Sequence, residues 1–151
     1  MKRLMLILVF SISSIAGFAQ MDKVMVLGTE EARYEQLTGS HPQSLLEATG
    51  GDITRAFESW LEMQQAIDAY AEAQSFDLNG VKLWLHVFWS ADGKIDQIGF
   101  LLRPDSRLVD AAEIHALLAG FAKQYQFPVQ SGQPFHHYTG ATFPTLSQRR
   151  G

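Results

Sequence analysis

Apolar residues keep a clear rhythm through most of this chain, and the rhythm changes period three times. From Ile53 to about Ala73 they recur at helical spacing, as Ile53, Phe57, Trp60, Leu61, Ile67 and Tyr70. Arg55, Glu58, Glu62, Asp68 and Glu72 fall on the other side. Asp52 stands where a helix N-cap is wanted, so the spacing predicts an amphipathic helix lying on a sheet or another helix. The period then drops to two. Val81, Leu83, Leu85, Val87 and Trp89 alternate with Trp84, His86 and Phe88, a strand with apolar residues on both faces. Ser90 to Lys94 reads as a turn around Gly93, and Ile95 to Arg103 as the returning strand of a hairpin.

Pro104-Asp105-Ser106 interrupts the strand and offers a cap. Beyond it Val109, Ile114, Leu117, Leu118, Phe121 and Tyr125 restore a helical stripe, predicting a helix from about Leu108 to Tyr125. Phe127-Pro128 stops it, and Phe135 to Phe143 supplies a last strand before Pro144. The stretch 20–51 has no such rhythm and is expected to be irregular. Its one candidate element is a short helix after His41-Pro42, through Ser44 to Ala48, ended by Gly50-Gly51. The fold class is therefore α+β: an antiparallel hairpin, a helix and a final strand, with an additional N-terminal helix packed on the sheet. Residues 52–146 form the single expected domain, and 147–151 a frayed tail.

The N-terminus changes where the protein is expected to work. Lys2 and Arg3 precede an apolar run from Leu4 to Ile15, and small residues follow up to Ala19, the three parts of a cleavable signal peptide. The run is shorter than the roughly 20 residues a bilayer span needs and contains Ser11, Ser13 and Ser14. Export to the periplasm or beyond, with cleavage after Ala19, is the expectation, leaving no membrane span. Cleavage leaves ten Lys and Arg against sixteen Asp and Glu, a net charge of −6. An acidic surface argues against a nucleic-acid partner. With no cysteine, the fold must hold without disulfides, and neither a thiol nucleophile nor lipid attachment through an N-terminal Cys is possible.

Candidate chemistry is sparse. His136-His137 invites a metal or acid–base role, but neighbours on a strand point to opposite faces. The other histidines, His41, His86 and His115, have no ligand spacing, so neither metal nor cofactor is expected. His86, between Trp84 and Phe88, reads as a half-buried, hydrogen-bonded residue, and His115 as a boundary residue of its helix. Glu30-Glu31, and Asp92 with Asp96, could pair as acid and base, yet Asp92 has a turn role and Glu30-Glu31 looks solvated. No Gly-x-Ser-x-Gly elbow and no Gly-rich phosphate loop are present. What remains is the aromatic and histidine run Phe135, His136, His137 and Tyr138, the expected binding stretch. A small exported hydrolase using His136 or His137, with a carboxylate such as Glu113, is the alternative.

The strand Val81 to Trp89, the turn Asp92-Gly93-Lys94, the second strand, Ser106, Asp110-Ala111-Ala112, Phe127-Pro128 and Gly132-Gln133-Pro134 form a series. Over 80–146 the chain resembles the C-terminal domain of TonB-type periplasmic proteins. The resemblance implies a strand-strand-helix-strand domain that contacts other cell-envelope proteins by adding a strand to a sheet edge. It implies no catalytic residues. An energy transducer of that family keeps an uncleaved membrane helix and a long Pro-rich spacer, and this sequence shows neither, so the expected role is a non-catalytic interaction module.

Overall fold

The computed structural model describes residues 22–145. The predicted signal peptide, with its cleavage point after Ala19, and the tail 147–151 lie outside them. The fold is α+β, a five-stranded sheet with four helices among the described residues. In chain order these are β1 (Val24–Val26), α1 (Glu31–Ser40), β2 (Gln43–Ser44), α2 (Leu45–Ala48), α3 (Ile53–Ala73), β3 (Lys82–Trp89), β4 (Ile95–Leu102), α4 (Ala111–Gln124) and β5 (Phe135–Thr142). The strands lie side by side as β1-β4-β3-β5-β2. β3 is antiparallel to both β4 and β5, and the two short outer strands run parallel to their neighbours.

The hairpin forms where its turn residues demand it. Gly93 has φ +83°, and a Cβ there would come within 2.8 Å of the Phe127 and Val129 carbonyls, so no other residue fits. One face of the sheet carries Leu83, Leu85, Val87 and Trp89 from β3 with Ile98 and Phe100 from β4, all buried. They pack with Trp60, Met63, Ile67 and Ala71 of α3 and Ile114, Leu118 and Phe121 of α4. The Trp89 ring stacks on Phe127 at 4.3 Å and on Phe135 at 5.1 Å.

Several expectations need correction. Residues 22–51 are not irregular: they supply two strands and two helices. α1 buries no residue completely, so it has no apolar stripe to betray it. Polar reach holds it instead, through Arg33 to Gln97 and Tyr34 to His86. The short helix α2 does follow His41-Pro42, opened by a reciprocal cap between Ser44 and Glu47 and followed by Gly50 and Gly51 at positive φ. On α3, Ile53 and Phe57 stand out of the core, 72% and 63% exposed, and the residues the helix buries begin only at Ser59. Asp68, expected on the solvent side, is buried at 7% exposure, where its carboxylate accepts the Thr145 amide at 2.8 Å. α4 begins at Ala111 under an Asp110 cap, not near Leu108, which is exposed. Ser106 accepts instead the Lys82 amide, tying the loop to the start of β3.

Candidate functional site

Strand alternation builds a second, quite different face on the same sheet. The cross-strand partners Gln97, Phe88 and His136 form one row, Gly99, His86 and Tyr138 the next, and Leu101, Trp84 and Gly140 the third. α1 lies against the first two rows. The Tyr34 ring meets His86 at 5.4 Å and Phe88 at 6.2 Å, and His41, just past the helix, meets Phe88 at 5.3 Å. The third row is only partly covered. Leu101 is exposed, and Arg103 lies over the Trp84 ring at 5.1 Å while Tyr138 stacks beside it at 6.0 Å.

Within this face three side chains form a hydrogen-bonded chain. Tyr34 Oη and His86 Nδ1 are 2.9 Å apart, and His86 Nε2 and His136 Nδ1 are also 2.9 Å apart. With the Tyr34 hydroxyl donating to Nδ1, neutral His86 carries its proton on Nε2 and donates it to His136. Burial holds His86 neutral, lowering its pKa from 6.5 to about 4, with smaller contributions from the neighbouring imidazoles His136, His137 and His41. His136 is lowered for the same reasons, burial first, and Glu47 opposes the shift. Burial also raises the Tyr34 hydroxyl, helped by Tyr138. His41 lies alongside, its Nε2 2.8 Å from Asp96 and its Nδ1 2.9 Å from the Leu37 carbonyl.

No family model, curated protein or solved structure matches this chain. Its functional reading therefore rests on the geometry.

The run Phe135 to Tyr138 is divided by the sheet. Phe135 is completely buried on the α3 and α4 face, and His137 points the same way, its ring 4.8 Å from Trp60. Burial lowers the His137 pKa, with a smaller push from His136. His136 and Tyr138 face α1, and Tyr138 is 51% exposed. Glu113 sits on α4 beside Tyr70, Gln74 and Phe76, hydrogen-bonded to neither imidazole. Among the described residues the histidine–carboxylate pairs are His41 with Asp96 and His115 with Asp22. Asp92 is used by its turn, bonding Ser90 and the Lys94 amide, and Glu30 pairs with Arg33. No three His, Asp or Glu side chains among the described residues are placed to hold a metal ion. No described helix is long and apolar enough to cross a membrane.

The strand that carries His136 and Tyr138 has another property. β5 is eight residues long, but its outer neighbour β2 pairs only with Phe135 and His136. The Phe143 amide is turned inward to the Val81 carbonyl. Alternation along the strand then turns the N–H and C=O of Tyr138, Gly140 and Thr142 outward. Among the described residues no strand pairs with them. Tyr34 and His41, which shape this face, come from the segment without rhythm and carried no signal in the sequence.

Proposed function

We propose that this protein is an exported, non-catalytic interaction module of the cell envelope that receives an extended segment of a partner protein along the outer edge of β5. The observation that carries the reading is that edge itself: three residues of a central sheet offering main-chain donors and acceptors, with the exposed ring of Tyr138 beside them. Proteins normally blunt such edges with charge, proline or a covering loop. From Tyr138 to Thr142 the edge carries Tyr, Thr, Gly, Ala and Thr, none of them charged. Main-chain pairing would supply affinity, and side chains alternating onto the Trp84 and Tyr138 face would supply selectivity. The resemblance of 80–146 to the TonB C-terminal domain supports the same mode, because a domain of that kind contacts its partners by adding a strand to a sheet edge.

The hydrolase alternative draws no support from the site. His137 packs on Trp60, His136 is committed to His86, and no carboxylate is hydrogen-bonded to either ring among the described residues. A direct test places a photoreactive phenylalanine at Tyr138, with a second copy of the experiment at exposed Leu108. Illumination of cells should give a discrete protein adduct from position 138 and none from 108. Equal labelling from both positions, or none from 138, would sink the reading.

A further inference from the structure

α1 covers residues that are far better buried than it is. Phe88 is 0%, Gln97 3% and His86 4% exposed, yet the helix lying against them buries none of its own residues completely. Beyond its junction with His41, two side chains make all its hydrogen bonds to the other described elements. Tyr34 bonds His86 at 2.9 Å, and Arg33 bonds Gln97 at 2.6 Å and the Asp22 carbonyl. We infer that α1 is a hinged cover that opens as a unit while the sheet stays intact, and that acid favours the open form.

The chain on either side of the helix is anchored to β4 without it. The Leu27 amide donates to the Phe100 carbonyl at 2.9 Å, and the Leu27 side chain rests on Gly99, where a Cβ would come within 2.5 Å of it. His41 is held by Asp96 at 2.8 Å. Between these anchors lies Gly28, at φ +88° with open space where a side chain would stand, and Gly39 in the last turn of α1 is equally unhindered. Such a segment, with few buried apolar contacts, sits at the low end of local stability.

Gln97 supplies an independent observation. Its Oε1 accepts Arg33, while its Nε2 is buried with no partner. The closed form carries the cost of that stranded donor, and opening to water relieves it. Opening also uncovers Phe88 and His86 directly beside Tyr138, their neighbour on β5.

The acid dependence follows from the groups around His86. Tyr34 faces it from α1, His136 and Tyr138 from β5, and His41, paired with Asp96, from just past the helix. Arg33 lies over the next row at Gln97, Glu47 acts on His136, and His137 acts from the far side of the strand. Burial, first among the causes, holds His86 neutral down to about pH 4 while α1 is closed. Exposure returns the ring toward 6.5, so opening takes up a proton and acid drives it.

Amide exchange of the full chain, corrected for intrinsic rates, tests this first. Gln36 and Leu37 of α1 should open at least about tenfold more often than Leu85 and Val87 of β3. Tyr34→Phe, which keeps the ring and loses the hydroxyl, should raise α1 opening about fivefold and leave β3 unchanged relative to global stability. Between about pH 7 and about pH 5 the opening of α1 should grow about tenfold. Because the chain has no cysteine, an introduced thiol gives a second readout. Phe88→Cys and Val87→Cys alter adjacent β3 residues, both fully buried, on opposite faces. The thiol at 88 should be alkylated faster than that variant unfolds globally, and the thiol at 87 only as fast as its own. Exchange of α1 no faster than that of β3, labelling of both thiols at the global unfolding rate, or an opening indifferent to acid would overturn the proposal. The β5 edge plays no part in these measurements, so their outcome stands apart from the interaction reading.

Discussion

The two faces of β3 are written by alternate residues of one strand and are held by different physics. Leu83, Leu85, Val87 and Trp89 look onto α3 and α4 and pack mainly among apolar and aromatic neighbours, with the His137 ring against Trp60 on the same side. Trp84, His86 and Phe88 look toward α1, where burial is shared by hydrocarbon, imidazole and hydroxyl. The first face is stabilised by area removed from water and by close packing, which carry no directional requirement beyond shape. The second depends on the hydrogen-bonded chain from Tyr34 through His86 to His136 keeping its partners, and that makes it sensitive to protonation.

The comparison can be broken most forcefully from the apolar side. Trp89→Ala removes a completely buried ring stacked between Phe127 and Phe135 and should cost about 4 kcal/mol in denaturant unfolding. His86→Ala, one turn of the pleat away on the other face, strands the Tyr34 hydroxyl and His136 Nδ1 as well as leaving a cavity, and should cost about 3 kcal/mol. A loss from His86→Ala below about 0.5 kcal/mol would show that the polar chain contributes nothing.

Acid sharpens the contrast further. Above pH 6.5 the His86 ring is neutral in the folded and the unfolded chain, so it contributes its full stability there. Between 6.5 and about 4 the unfolded chain takes up a proton that the folded chain refuses. Stability attributable to His86 is therefore lost as pH falls through that window, by about 2 kcal/mol, and His136 and His137 act in the same direction. Unfolding curves of the wild type and of His86→Ala across this range should converge on acidification; parallel curves would contradict the assignment. The smallest effect belongs to the exposed first turns of α3, where Phe57→Ser should stay within about 0.5 kcal/mol because the ring is already largely in water.

The same division explains what could be read from the residues. α3, β3, β4, α4 and β5 each bury an apolar set with a regular period, and their boundaries follow from Asp52, Gly93 and Phe127-Pro128 within a few residues. α1 has the sequence Glu-Ala-Arg-Tyr-Glu-Gln-Leu-Thr-Gly-Ser, in which no period appears because its contacts are made by the tips of Arg33 and Tyr34 to residues 64 and 52 positions away. β1 and β2 are two or three residues long, too short for alternation to register. Half of the candidate site was legible for the same reason. His136 and Tyr138 stand out on a patterned strand, and alternation correctly separates His136 from His137. Their companions Tyr34 and His41 arrive only through the parallel pairing of β1 with β4 and the helix that follows it, a long-range arrangement that no local pattern encodes.

Amide hydrogen exchange along β5 in the free protein tests the central claim, an open edge, without knowing the partner. Ala141 and Thr139 have amides directed at β3 and should be protected. Gly140 and Thr142, directed outward with no strand beside them among the described residues, should exchange far faster, in an alternating pattern. Uniform protection from Tyr138 through Thr142 would mean that the edge is already covered, and the proposed docking of a partner strand there would fail.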